Sequence, residues 1–212
     1  LAVATTPIKQ GPDLFRPERG NSKGWDIAHR PTLHQINATR ETFVDTHSVA
    51  TPLLVTEPKQ QPAQNIMNPA APDQIVGQLH PASPHAVSTA LSTAQTWDAP
   101  VIERAEILNR AADLYEEHAE RLFALLAREA GKTLADAVGG LREAVDFLRY
   151  YAARAQIFDE PSRGIFTCIS PWNFPLAIFT GQIAGALAVG NAVLAKPAEQ
   201  TPLIAFAAVE LL

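Results

Sequence analysis

The chain has 212 residues, 17 of them Lys or Arg and 22 Asp or Glu, giving a formal net charge of −5, and 47% of the residues are hydrophobic. That length fits one ordinary domain plus an extension. The charge does not fit nucleic-acid binding, because basic residues such as Lys9, Arg16 and Arg19 are scattered rather than clustered against phosphate.

The single cysteine, Cys168, excludes an intrachain disulfide or a cysteine-built zinc cluster and suits a reducing, cytosolic setting. No basic stretch leads into an apolar run near Leu1, as a secretory signal requires. At the other end, Val209-Glu210-Leu211-Leu212 lies within an apolar periodic segment, so the sequence reads as an internal piece of a longer protein.

Residues 1–64 are rich in Pro, Thr, Gln and Arg and are broken by Gly11-Pro12 and Gly20-Asn21, which predicts a linker or surface-wrapping arm. A short helix is expected over residues 32–43, and an extended edge piece over Thr51-Pro52-Leu53-Leu54-Val55. From residue 65 to residue 212 the pattern is that of a folded domain. Gln74-Ile75-Val76-Gly77-Gln78-Leu79 predicts a strand. Ser83-Pro84 supplies a cap followed by Pro in the first helical turn and opens a helix to about Trp97.

After Pro100, apolar residues at three- and four-residue spacing predict a helix that continues to a stop at Gly131. Another helix is expected over residues 134–155, despite Gly139-Gly140. The run from Gly164 through Ser170 predicts a buried parallel strand, residues 176–189 an almost wholly apolar helix, and residues 192–196 the next buried strand. A final helix starts near Thr201. Strand, crossover helix and strand make a βαβ unit, hence an α/β fold: a helical layer plus the start of a doubly wound parallel sheet. As continuous helix, residues 174–195 would reach ~33 Å, long enough for a membrane, but Gln182, Gly190 and Asn191 interrupt them and no basic anchors precede them. Gly181 and Gly185 permit close packing in either case.

Two segments carry candidate chemistry, each at the end of an expected strand, where open α/β sheets bind their ligands. In Cys168-Ile169-Ser170-Pro171-Trp172-Asn173-Phe174-Pro175, the Asn173 amide can donate to an oxygen that becomes negative during acyl chemistry, or can merely cap the apolar helix. In Lys196-Pro197-Ala198-Glu199-Gln200, an ammonium and a carboxylate can reach a sugar's hydroxyls, or can form a solvated salt bridge. No Gly-x-Gly-x-x-Gly or phosphate-cradling Lys motif is present, and the six histidines show no metal-ligand spacing. Cys168, inside an expected strand, reads as a small core hydrophobe rather than a nucleophile.

Ile169 through Pro175, then Gly190-Asn191, then Lys196 through Pro202 resemble, in letters and spacing, the aldehyde dehydrogenase superfamily. Upstream, Arg104, Glu129-Ala130-Gly131-Lys132 and Glu143-Ala144 resemble its first helical layer. A narrower resemblance is to the bifunctional proline utilization A family, which joins a flavin-binding proline dehydrogenase to an L-glutamate-γ-semialdehyde dehydrogenase. It is carried by residues 142–148, residues 167–204 and Gly20-Asn21-Ser22-Lys23-Gly24-Trp25-Asp26.

The resemblance implies that Asn173 donates to the aldehyde oxygen and then to the thiohemiacetal oxyanion. It implies that Ile169, Ser170, Pro171 and Trp172 line an NAD crevice, and that Lys196 and Glu199 hold the adenosine ribose, with a carboxylate there disfavouring the 2′-phosphate of NADP. Phe174 would border the substrate channel and Glu143 lie near its entrance. The family's nucleophilic cysteine, general-base glutamate, pyrophosphate turn and oligomerisation hairpin find no match here. Taken alone, the segment is therefore expected to be inactive. The remainder of the polypeptide, with FAD in its separate domain, would complete a homo-oligomeric, cytosolic enzyme able to associate peripherally with membranes. The rival expectation is a non-catalytic binding or assembly module built from a truncated dehydrogenase domain.

Overall fold

The computed structural model describes residue 9, residues 11–54 and residues 61–212. After a 3-10 turn at Gly11–Asp13 come α1 (Arg30–Glu41), β1 (Ser48–Ala50), β2 (Gln64–Asn68) and β3 (Ala71–Leu79). Helices α2 (Pro84–Thr93), α3 (Val101–Glu117), α4 (Ala119–Ala130) and α5 (Leu134–Ala155) follow. The chain then runs through β4 (Ile165–Ile169), α6 (Ala177–Ala188), β5 (Ala192–Lys196) and α7 (Pro202–Val209). The result is an α/β arrangement of helices around two small sheets, one of order β1-β3-β2 and one in which β4 pairs in parallel with β5.

Helix starts follow local chemistry. The Ser83 hydroxyl accepts from the Ala86 N–H at 3.1 Å and opens α2. Thr133 does the same for α5, accepting from the Asp136 N–H at 3.2 Å while donating to the Asp136 carboxylate at 2.7 Å. Gly131 ends α4 in the left-handed region at φ +65°, where a side chain would be strained.

The helix expected over residues 32–43 lies two residues earlier, at Arg30–Glu41, and the expected elements shift in four further places. Helix α2 stops at Thr93 because Ala94 turns extended, and the chain runs on until the Trp97 N–H donates to the Gly190 carbonyl at 2.9 Å. The long helix after Pro100 is two helices, divided at His118, whose φ of −103° and ψ of 22° leave the helical region. The strand expected over residues 74–79 begins three residues earlier, at Ala71, and pairs antiparallel with β2 through an irregular register. Asn68 makes that reversal, accepting from the Ala70 N–H at 2.9 Å and donating to Gln74 Oε1 at 2.7 Å. Of the expected edge piece over residues 51–55, Thr51 to Leu54 are irregular and Val55 lies outside the described residues.

The core runs between α3, α5 and α6. Gly181 meets α5 so closely that a Cβ there would lie 2.8 Å from the Phe147 ring. Tyr115 is fully buried, donates to the Ala208 carbonyl at 3.2 Å and shares a hydrogen bond with Thr180, and burial holds its phenol above the ordinary range. The amino-terminal segment is docked onto this core. The Ser22 N–H and hydroxyl both donate to Asp146, Arg149 Nη1 donates to the Asn21 carbonyl at 2.9 Å, and Trp25 packs edge-on against Phe123. The apolar run over residues 174–195 divides into the 12-residue α6 and strand β5, and among the described residues no helix is long and apolar enough to cross a membrane.

Candidate functional site

Strands β4 and β5 align Ile165 with Ala192 and Ile169 with Lys196, so both end at one edge. Beyond the last pair the Ser170 N–H donates to the Lys196 carbonyl at 3.2 Å, holding the two outgoing loops together. The loop after β4 is further tied to α6. The buried Ser170 donates its hydroxyl to Gln182 Oε1 at 3.2 Å, and Gln182 Nε2 donates to the Ile169 carbonyl at 3.3 Å. Gln182, the polar interruption of an apolar helix, is thus a strut for the strand end.

Asn191 plays the matching part at the other end. Its Oδ1 accepts from the N–H groups of Arg163 and Gly164, and its Nδ2 donates to the Ala186 carbonyl, fixing where the chain enters β4. Arg104 Nε donates to the Ala188 carbonyl at 3.0 Å, joining α3 to the last turn of α6.

From this frame Ile169, Trp172, Asn173 and Phe174 project at the surface, while Pro171 is half-buried. Asn173 does not cap the apolar helix: α6 begins at Ala177, its cap position is Leu176, and no side chain caps it. The exposure of both strands departs from expectation: β5, also expected to be buried, is half-buried over Ala192 to Ala195 and exposed at Lys196. In β4, Ile165, Phe166 and Ile169 are exposed and only Cys168 is buried, since among the described residues β4 pairs only with β5 and packs mainly against α6.

Lys196 Nζ stands 3.5 Å from Glu199 Oε1, with the two side chains 50% and 82% exposed. A pair this wet contributes little to stability, so both groups remain accessible to a third partner. Phe174 and Glu143, distant in sequence, line one cavity of about 300 Å³ together with Lys132, Asp136 and Gly139. The Lys132 ammonium lies 5.0 Å from the Phe174 ring centroid. The expected site residues therefore fall into two groups, the strand-edge set and the cavity set.

Sequence reasoning passed over Gln182 as a functional residue and did not assign one to Glu129, whose buried carboxylate faces the start of α7. For Gln182 the available signal was a polar amide in an otherwise apolar helix, whereas Glu129, one of four charged residues in α4, carried none.

Residues 55–212 match the aldehyde dehydrogenase family. The chain is 46% identical over 209 residues to the bifunctional protein PutA of Klebsiella aerogenes, covering 94% of this chain and 16% of that protein. It thus spans about a sixth of the length of that relative. Its structure superposes on proline utilization A from Bdellovibrio bacteriovorus inactivated by N-propargylglycine with a TM-score of 0.87 at 28% identity, over 99% of this chain and 24% of the other. It also superposes on a 1-pyrroline-5-carboxylate dehydrogenase from Thermus with bound NAD, with a TM-score of 0.79 at 29% identity, over 90% of this chain and 42% of the other.

Cys168 is 6% exposed, and burial pushes its thiol above the ordinary range. Because the thiolate is the reactive form, iodoacetamide at pH 8 should label the folded protein at least about tenfold more slowly at Cys168 than the unfolded protein. Equal rates in the two states, read by mass spectrometry of the Cys168 peptide, would contradict the assignment of Cys168 to the core.

Proposed function

The chain belongs to the aldehyde dehydrogenase family, and on that premise we propose that residues 65–212 form the amino-terminal part of the NAD-binding domain of an L-glutamate-γ-semialdehyde dehydrogenase. The enzyme oxidises the aldehyde, which arises by hydrolysis of pyrroline-5-carboxylate, to glutamate. The single observation that carries this reading is the common edge of β4 and β5, where the Asn173 turn and the Lys196–Glu199 pair leave the sheet side by side.

The donor set suits NAD. Glu199, exposed and paired with Lys196, is an acceptor for a ribose hydroxyl, and Lys196 a donor for its neighbour. The loop through Ile169, Ser170, Pro171 and Trp172 forms a wall held by Gln182. A carboxylate at the 2′-hydroxyl repels the 2′-phosphate of NADP. NAD, when bound, accepts the hydride that the aldehyde carbon loses.

Asn173 carries the chain's own part in the chemistry. Its amide, unused by α6, donates an N–H to the aldehyde oxygen and holds the negative charge that develops when a thiolate adds to the carbon. Phe174 and Glu143 border the approach taken by the substrate. Cys168, the chain's one cysteine, is buried and is not the thiolate; we assign the thiolate and the water-activating carboxylate to other parts of the polypeptide. Residues 1–64 lead into the domain from a flavin-dependent proline dehydrogenase. Supporting this, the likeness to proline utilization A extends over 99% of the chain against 90% for the monofunctional dehydrogenase.

Two substitutions in the complete enzyme test the two halves of the site. Asn173→Ala should lower kcat by about 10²–10³ with little change in NAD affinity, the usual effect of losing one oxyanion donor; near-normal turnover would remove Asn173 from the reaction. Glu199→Ala should weaken NAD and narrow the preference over NADP, as read by kcat/KM for both cofactors. Equal loss for the two, or none, would contradict recognition of the ribose by the carboxylate.

A further inference from the structure

Glu129 sits on α4, 3% exposed, with both carboxylate oxygens directed at another helix. The Leu203 N–H donates to Oε1 at 2.7 Å and the Ile204 N–H to Oε2 at 2.8 Å, so the carboxyl grips the first turn of α7. Helix starts leave N–H groups that need acceptors and present a positive dipole end that favours a carboxylate. Nothing local supplies either for α7. Thr201, at the cap position, makes no capping bond and its Oγ1 is buried without a partner, while Pro202 has no N–H to offer. A residue 74 positions upstream therefore does the work of the missing cap.

The consequence falls on the loop over residues 197–201. One end is fixed by the pairing of Ile169 with Lys196 and the Ser170–Lys196 bond. Its other end is α7, whose start is held by Glu129. Between them stands Glu199, 82% exposed and tied only to Lys196 at 3.5 Å. Where the Glu199 carboxylate stands thus depends on where α7 begins.

We propose that Glu129 is a positioning residue for the cofactor: by gripping the start of α7 it sets the loop that offers Glu199 to the adenosine ribose. This rests on the reading of Lys196 and Glu199 as the ribose pair. Burial raises the Glu129 pKa to about 8, against the pull of the two N–H donors. Protonated or not, both oxygens keep a lone pair for the backbone. The amide nitrogen of a glutamine does not, so Glu129→Gln breaks one of the two bonds at almost constant volume.

The test compares wild type, Glu129→Gln, Glu199→Ala and the double variant in the complete enzyme. The readouts are kcat, the KM for NAD and the inhibition constant of AMP, which carries the adenosine ribose but no nicotinamide. Glu129→Gln should raise the NAD KM and the AMP inhibition constant in parallel by about tenfold, in line with one lost buried hydrogen bond, while kcat stays within about twofold. In the Glu199→Ala background the same substitution should add little, because its effect passes through the missing carboxylate. A fall in kcat matching the rise in KM, an unchanged AMP constant, or full additivity with Glu199→Ala would overturn the proposal. If Glu129→Gln does not fold, Glu129→Asp, which withdraws the carboxylate by one methylene, must show the same KM-selective loss, and its absence overturns the proposal equally. Failure of the ribose reading looks different, because Glu199→Ala alone would then leave NAD and AMP binding unchanged.

Discussion

The in-register parallel pairing of Ile169 with Lys196 is the constraint on which the candidate site depends. Parallel strands joined by a crossover helix must finish at the same edge, so two loops separated by a helix in sequence become neighbours in space. The pairing holds only if α6 lies flat between its strands and the helical layer. That in turn requires the close approach of Gly181 to Phe147 and the apolar surface of α6 on both sides. A slip of one residue in the register would reverse the side-chain faces of β4 and part Ser170 from the Lys196 carbonyl.

Around this frame, four polar side chains hold the ends of elements, Asn191 and Glu129 from the interior, Arg104 half-buried and Gln182 from the surface. Asn191 fixes the entry to β4, Gln182 the exit from it, Arg104 the end of α6 and Glu129 the start of α7. Each satisfies backbone groups that regular structure leaves unpaired, and each spans two elements. Asn191 and Glu129, the two that are buried, have their side-chain polar atoms paired, as burial demands. The surface that results is exposed at Asn173, Lys196 and Glu199 and tied down beside them by the bonds of Ser170.

Much of this was legible in the sequence because the signals were local. Ser83 caps one helix and Gly131 stops another where expected, α5 has the expected bounds, and β5 falls on residues 192–196 as its apolar run implies. What was misjudged depended on partners elsewhere in the chain. The break at His118 has no Gly or Pro to announce it, and β2 is mostly exposed and irregularly paired, so its alternation is faint. The exposure of β4 depends on which layers cover it rather than on its own letters. For the site, letters and spacing brought out Asn173, Lys196 and Glu199, and chemistry alone left each with a bland alternative. Structure removed one of these, since Asn173 caps nothing. Glu129 and Gln182 stayed hidden because their targets are backbone groups 74 and 13 residues away.

We propose an aldehyde-oxidising site in which this segment would provide the ribose contacts and one oxyanion donor; family membership and the strand-edge geometry support it. The structure of the complete enzyme with NAD and glutamate bound tests this most directly. The account requires both ribose hydroxyls of the adenosine within hydrogen-bonding distance of Lys196 and Glu199, and the Asn173 amide turned toward the γ-carboxylate of the product. An adenosine seated away from the β5 edge, or an Asn173 amide directed into solvent with product in place, would contradict it.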